Sequence, residues 1–560
     1  MTPEHNHSGR NDVVTELLAA RAFLAQGQIA QAKSVCDAML QRAPSNFDVL
    51  YLSGAVYVQT LQLAEAVDLL CRAIAVRPSS HSSYNLLGYA MSKLSQYAAG
   101  IECFDKALAL NPACAEAACN RGNALHTLGR NQDALQSYAL ATQIDPKYSA
   151  AWSNRGNTLL ALGRVPEAIA SFDHALAIDP RAAASYLNRG NAYLAAGDAA
   201  RGLANYDQAL ALNPNQLMAH ANRGNALKRL QRFEEAIESY NRALALDPEH
   251  ADTYWNRGLT YLLLGNMHQG FADYQWRWKR VAFAPIVREF HQPMWLGDTP
   301  LQGKTLLLHA EQGLGDTLQF VRYTQILADL GARVVLEAEP ALFALFAGLS
   351  GVQQLVCQGQ TLPEFDLHCP LLTLPLALRT SLDYAVQSVP YLHADADLRV
   401  QWNARLGARH QLRVGLVWSG SVTHQDDHNR SIPLAELLSS LPSGPRYISL
   451  QKEVRPDDLA ALQASGLTHF GDQLHSFSDT AALCSCMDVV ISVDTSVAHL
   501  SGALGQTTWI LLPHLPDWRW LLERRDSPWY PSARLYRQAQ ARDWTVPLTQ
   551  ICADLRALRI

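Results

Sequence analysis

Seven prolines, Pro44, Pro78, Pro112, Pro146, Pro180, Pro214 and Pro248, stand 34 residues apart. Seven glycines, Gly54, Gly88, Gly122, Gly156, Gly190, Gly224 and Gly258, keep the same period, ten residues after each proline. A fixed period of this length means that one small structural unit is stacked on copies of itself, each burying its apolar face on the next. With His81 to Cys114 as one unit, Gly88, Phe104, Ala107 and Pro112 hold positions 8, 24, 27 and 32. In the next unit Ala134, Tyr138, Ala141 and Pro146 recur in register. Proline has no N–H and stops a helix. Small residues mark where two helices of a unit cross closely, and the aromatics are expected to fill the gap to the following unit. The chain therefore begins as an α-solenoid of helical pairs.

The length and these positions resemble the tetratricopeptide repeat (TPR). Seven full units run from Val13 to His250, and an eighth, from Ala251, keeps Trp255, Gly258 and Tyr261 but lacks the proline. It runs into Tyr274-Gln275-Trp276-Arg277-Trp278, an aromatic end expected to be buried against whatever follows. The resemblance covers residues 13–284 and leaves 1–12 as a polar tail expected to be disordered. Asn120, Asn154, Asn188, Asn222 and Asn256 occupy position 6, and Asn123, Asn157, Asn191 and Asn225 occupy position 9. Residues three apart share a helix face, and asparagine is a poor helix former. Its amide both donates and accepts, so the rows either grip an extended peptide or link neighbouring units. They are similar to the asparagine ladder of the eukaryotic O-linked N-acetylglucosamine transferase. That resemblance implies a groove, lined by the first helices, for a protein or peptide acceptor.

With 48% hydrophobic residues, the 560-residue chain has the means to bury large cores. A net charge of -5 argues against general nucleic-acid binding, which needs a basic excess. The start lacks the apolar stretch of a leader, and no run reaches the ~18 apolar residues of a membrane span. Ten irregularly spaced cysteines fit free thiols in a reducing cytoplasm. Cys484 and Cys486 have no second pair at zinc spacing and read as helix residues.

After Trp295 the period stops and strands alternate with helices, predicting a parallel sheet. Thr305–His309 reads as a strand, Ala310–Asp316 as a turn, and Thr317–Leu330 as a helix. Strands follow at Val334–Glu339, near Gln353–Val356 and at Asp366–Cys369, then a connection over Ser388–Asp397. The pattern restarts with strands at Arg413–Trp418, Tyr447–Gln451, Val489–Asp494 and Thr508–Leu512. Helices are expected at Thr495–Leu504 and Val546–Leu558. This divides the region into Rossmann-like halves at 285–397 and 398–560, the pattern of the GT-B fold of nucleotide-sugar transferases.

Gln312-Gly313-Leu314-Gly315-Asp316 resembles the opening turn of the lipopolysaccharide heptosyltransferase family. Asp494-Thr495-Ser496-Val497-Ala498-His499-Leu500 resembles its donor motif. Arg430-Ser431-Ile432-Pro433 stands where the family carries a basic residue, an aromatic and a proline, with Ile432 replacing the aromatic. Together with the repeats and Ser449-Leu450-Gln451-Lys452, the chain is similar to bacterial TPR proteins with heptosyltransferase-like C-terminal regions. The resemblance covers about 300–540. It implies an inverting transferase with a nucleotide-diphosphate sugar as donor, no cofactor and no metal, and it makes Asp316 the general base. The residue-level alternative for Asp316 is a helix cap.

Helix N-termini attract phosphate, which points to the segments after Ser419 and Gly420 and at Thr495 and Ser496. Lys452 and Arg430 would neutralise the diphosphate. Asp494 and His499 would face the donor, or His499 is an interior histidine. Asp395-Ala396-Asp397 reads as solvated linker, and His424, Asp426, Asp427 and His428 as a polar loop without metal spacing. The expected function is a cytoplasmic glycosyltransferase with an acceptor-binding solenoid. The rival is a non-catalytic TPR adaptor.

Overall fold

The computed structural model describes residues 8–382, 389–424 and 426–558. Residues 1–7 of the expected tail lie outside the described residues, and 8–12 belong to the first helix, Ser8–Ala25. The chain divides into two compact units, Met1–Leu230 and Gln231–Ile560.

Unit 1 is six helical hairpins, from Ser8–Ala25 paired with Ile29–Arg42 to Ala183–Ala195 paired with Ala199–Leu212, followed by the helix Leu217–Arg229. The glycine column has a direct steric cause. A methyl group on Gly122 would lie 2.6 Å from Tyr138, and one on Gly156 2.7 Å from Phe172. The aromatic at position 24 therefore packs on the glycine of its own unit, and it also reaches the next as expected: Tyr138 meets Thr158 and Tyr240 meets Thr260. A second column sits in the turn inside each hairpin, where the backbone must be left-handed. Gly129, Gly163 and Gly197 fill it at φ 74, 72 and 83°, whereas Leu61 and Ser95 hold it at 59 and 63° without glycine's freedom.

Unit 2 opens with three helices, Phe233–Leu246, Ala251–Leu263 and Met267–Tyr274, and a 3-10 turn, Gln275–Lys279. Two parallel sheets follow. The first, in the order β3-β2-β1-β4, holds β1 (Thr305–His309), β2 (Arg333–Ala338), β3 (Val352–Cys357) and β4 (Leu367–Pro370). The second, in the order β10-β9-β8-β5-β6-β7, holds β5 (Arg413–Val417), β6 (Arg446–Ser449), β7 (Thr468–His469), β8 (Val489–Val493), β9 (Thr508–Leu512) and β10 (Ala533–Arg537). β5, β8 and β9 are buried along their whole length, as parallel strands covered on both faces must be. The register runs Val414↔Val489 and Ile491↔Trp509.

The helix after β1 starts at Leu314, three residues before the expected Thr317, and breaks at Val321–Tyr323 before resuming as Thr324–Asp329. Asp395 caps the helix Ala396–Leu406 by accepting the Leu398 N–H at 2.8 Å, so Asp395 to Asp397 are a helix start rather than linker. Residues 383–388, where the connection was expected to begin, lie outside the described residues.

The aromatic end at 274–278 explains why unit 2 begins well before 285. Tyr274 is buried and stacks on Trp255 at 4.6 Å, while Phe271 meets Trp518 edge-on at 5.5 Å. Trp276 stacks on Tyr254 at 4.0 Å, and it and Trp278 stay half-buried. The last repeat helices thus share one apolar core with the first sheet.

Candidate functional site at the carboxyl ends of the two sheets

Counted from β5, the second sheet reads 3-2-1-4-5-6, the order of doubly wound sheets. Such sheets bind ligands outside the carboxyl ends of the strands where the order reverses, here between β5 and β8. Most of the candidate residues of this half lie there. Ser419 and Gly420 follow β5, and Gln451, after β6, holds Ser419 by accepting its N–H at 3.4 Å and donating to its carbonyl at 3.0 Å. Arg430 lies against Gly420, where a methyl group would stand 2.5 Å from its guanidinium. It donates to the Asp494 carbonyl at 2.9 Å, joining the ends of β5 and β8. Arg455 donates to the Gly420 carbonyl at 2.8 Å and pairs with buried Asp427. Asp427 is therefore tied up by arginine. Gln425 of this loop lies outside the described residues. Ser419 Oγ is buried and has no hydrogen-bond partner among the described residues.

Thr495 is the N-cap of the helix Ser496–Ala503, with Asp494 just before it. Burial, then repulsion from Asp517, push the Asp494 carboxyl up to about 6, and Arg430 opposes them. His499 is buried, accepts or donates with Tyr530 Oη at 3.0 Å, stacks on Trp520 at 5.3 Å and lies 3.9 Å from Asp494. Burial holds its ring well below the usual range, down to about 3, so it is a neutral interior histidine at ordinary pH. Lys452 is exposed past β6 and stands outside this network.

The turn after β1 comes to the same place. A methyl group on Gly315 would lie 3.0 Å from His499 Cδ2 and 3.6 Å from Ser496 Cα. The glycine lets this turn rest on the helix that follows β8. Asp316 then has two bonds: one oxygen accepts the Gly313 N–H at 2.9 Å, and the other takes an ion pair from Arg519. Asp316 is thus not the N-cap expected for a helix from Thr317 but the third helical residue, reaching back to the N-cap Gly313. Burial raises the Asp316 carboxyl above its ordinary range, against the pull of Arg519. Arg519 also donates to Gln319 at 2.7 Å and Asp517 at 2.9 Å.

The residues before Asp316 are anchored from behind. Glu311 pairs with Arg277 at 2.9 Å, both side chains essentially without solvent contact. Arg277 also donates to Thr373 Oγ1 at 2.7 Å. Gln312 donates to Tyr274 Oη at 2.8 Å. Burial, only partly offset by Arg277, pushes the Glu311 carboxyl up to about 7.

In unit 1 the asparagine rows make bonds between repeats. Asn154 donates to Asn123 at 2.8 Å, Asn222 to Asn191 at 2.9 Å and Asn120 to Asn85 at 3.1 Å. Asn123 and Asn191 are in turn held by the hydroxyls of Tyr138 and Tyr206. Asn188, like Asn256 in unit 2, is half-buried at the same repeat position. A neighbouring arginine column adds ion pairs: Arg121 to Asp105 at 2.7 Å, Arg189 to Asp173 at 2.6 Å and Arg223 to Asp207 at 2.7 Å.

Sequence reasoning missed Arg519, Asp517, Arg455 and Gln451. The only sequence signal for the first two is the dense Pro516-Asp517-Trp518-Arg519-Trp520 just after a strand. Among the described residues no group of three or more His, Cys, Asp or Glu is disposed to hold a metal ion. No described helix is long and apolar enough to cross a membrane.

Tetratricopeptide-repeat families match residues 23–88, 85–149, 156–197, 183–216 and 224–265, so TPR repeats cover the first ~270 residues. The chain is 25% identical to Protein FlbA of Caulobacter vibrioides over 326 residues, 53% of each protein. It thus spans about half the length of that relative. A tetratricopeptide repeat protein from Parabacteroides merdae aligns with 44% of this chain and 97% of its own, at 18% identity and TM-score 0.36. YrrB, described as a TPR protein with an unusual peptide-binding site, aligns with 33% of this chain and 95% of its own, at 19% identity and TM-score 0.28.

Proposed function

We propose that the chain is a nucleotide-sugar-dependent glycosyltransferase of GT-B type, inverting, whose repeats bind a protein or peptide acceptor. The observation that carries this reading is the meeting of two carboxyl-end loops. The N-terminus of the helix Ser496–Ala503 lies at the switch point of a doubly wound sheet, and the turn bearing Asp316 rests on it. An N-terminus with Thr495, Ser496 and the Arg430 guanidinium beside it suits a diphosphate. Asp316, made more basic by burial, would take the acceptor proton. The asparagine face of unit 1, Asn120 to Asn222, would hold an extended acceptor through the amide valences left after the bonds between repeats.

The test is a thermal-shift panel of nucleoside diphosphates and nucleotide sugars on the full chain, followed by calorimetry. One nucleotide class should bind, and Ser496→Trp should abolish that binding. Asp316→Asn should lower turnover by ~100-fold or more. The second reading, a TPR adaptor that does no chemistry, is favoured by the engagement of both Asp316 oxygens with Gly313 and Arg519. Absence of any nucleotide shift would select it.

A further inference from the structure

We propose that Arg519 exchanges partners between the Asp316 carboxylate, with which it pairs, and the phosphate of a bound nucleotide diphosphate. Donor binding then unmasks the base. This rests on the glycosyltransferase reading above.

Arg519 belongs to the loop after β9, the strand next to β8, so it enters at the same carboxyl edge as Ser496. Its fork is shared among three acceptors. Nε donates to Gln319 at 2.7 Å, one terminal nitrogen to Asp517 at 2.9 Å, and the other to Asp316. Asp517 also accepts the Arg519 backbone N–H at 3.0 Å, so this half of the clamp is chelated within one loop. The ring of Trp518 lies 4.4 Å below the guanidinium and fixes its plane. The bonds to Asp316 and Gln319 join this loop to the helix that follows β1, and the one to Asp316 carries the charge.

Paired with Arg519, Asp316 is a weaker base than burial alone would make it. One oxygen accepts from Gly313 N–H and the other from Arg519; each keeps a lone pair, but the guanidinium beside it holds down the proton affinity a base needs. A phosphate at the N-terminus of Ser496–Ala503 would lie beside this pair, because Ser496 Cα stands within 3.6 Å of a methyl placed on Gly315. A diphosphate offers more charge and more acceptor oxygens than one carboxylate, and arginine binds phosphate through its planar fork. Because the fork is rigid and planar it turns as a whole, giving up its bonds to both Asp316 and Gln319 for the phosphate.

The step balances without a redox partner. The acceptor oxygen forms the new bond to the anomeric carbon and its proton passes to the freed Asp316 carboxylate. The bond from that carbon to the phosphate oxygen breaks, and its electron pair leaves on the diphosphate, where Arg519 now lies.

The exchange has a thermodynamic signature. Removing the competing carboxylate frees Arg519 for phosphate, so Asp316→Asn should tighten nucleoside-diphosphate binding by ~3- to 10-fold, while Arg519→Gln should weaken it ~10-fold or more. In the double variant the gain from Asp316→Asn should vanish. The measurement is calorimetry of UDP, GDP, ADP and CDP with the full chain, with the parent nucleosides as a control that no variant should affect. Arg519→Lys, which keeps the charge, provides a second variant should Arg519→Gln not fold, and it should retain part of the affinity. Unchanged or weaker binding by Asp316→Asn, or a gain that survives in the double variant, overturns the exchange alone. No binding of any diphosphate to the unaltered chain overturns the donor reading and the exchange with it.

Discussion

Replacing Arg277 with methionine should destabilise unit 2 in a way that depends on pH. Arg277 and Glu311 are both fully buried and paired at 2.9 Å. Breaking a buried pair from one side costs about 3–5 kcal/mol, because the remaining charge has no compensation. Here the cost lies near the lower end at neutral pH. The Glu311 carboxyl is already raised to about 7, so without Arg277 it takes up a proton instead of staying charged. For a unit of roughly 330 residues, 3 kcal/mol corresponds to a fall of about 4 °C in the melting transition.

The pH trend follows from the sign of the shift. A carboxyl whose folded pKa lies above its unfolded value binds protons more tightly when folded. Its stabilising proton is fully present below the unfolded value near 4.5 and is lost as pH rises through 7. Removing Arg277 raises the folded value further, so the deficit against the unaltered chain should be larger at pH 8.5 than at pH 5.5. Arg277→Met combined with Glu311→Gln has no charge to bury. It should recover at least half of the loss and show no such pH trend. Differential scanning calorimetry across pH measures all three proteins. A double variant less stable than Arg277→Met at pH 8.5, or a deficit that shrinks with rising pH, refutes the reasoning.

Asp494→Asn should raise the melting temperature above pH 6 and change it little near pH 4, because the raised Asp494 carboxyl loses its stabilising proton between these values; a gain confined to low pH would contradict this. Replacing Asn154, Asn188 and Asn222 together with alanine removes two amide–amide bonds between repeats, about 0.5–1.5 kcal/mol each, and a weak one to the Cys119 sulfur, while alanine's helix propensity returns roughly 0.5 kcal/mol per site. Unit 1 should therefore melt within a few degrees of the parent, yet binding to a random peptide array should fall about tenfold, and an unchanged array signal would reduce the rows to repeat linkers. Leu61→Gly should stabilise unit 1 by about 0.5–1 kcal/mol in urea unfolding, since an exposed leucine there holds a left-handed backbone at φ 59°; a loss of stability would place the strain elsewhere.

What the sequence made legible was whatever local physics alone decides. Proline and glycine columns announced the repeats because each residue type is demanded by its own helix crossing or helix end. The strands β1, β5, β8 and β9 stood out as apolar runs bounded by polar turns. β7, at two residues, and β10, with arginines at Arg534 and Arg537, lie at sheet edges and carry no such run. The helix beginning at Leu314 was hidden by Gly313 and Gly315, which propensity disfavours. Its start is fixed by Asp316 reaching back to Gly313 and by the need to rest on His499. Ser419, Gly420 and Asp494 follow strands, as the alternation of strands and helices suggests, whereas Arg430 ends the short helix Asp427–Arg430. Arg455, Asp517 and Arg519 were not foreseen. Their positions obey no spacing rule, and only the closure of loops around Gly420 and Asp316 gives them partners.

The residues that name the opening turn are also the ones that bind it to the end of the repeats. Glu311 and Gln312 immediately precede Gly313, and neither faces the switch point of the second sheet: one is held by Arg277 and the other by Tyr274. The fully buried Arg277 has Glu311, Thr373 and the Tyr274 carbonyl as its acceptors. A chain that began at residue 285 would leave Glu311 buried without a counter-charge and Gln312 without its tyrosine. The turn carrying Asp316 would lose the support that sets its path onto Ser496. The aromatic end of the repeats is therefore part of the architecture of the candidate site, and the boundary drawn where the 34-residue period fades does not coincide with the boundary of the folding unit.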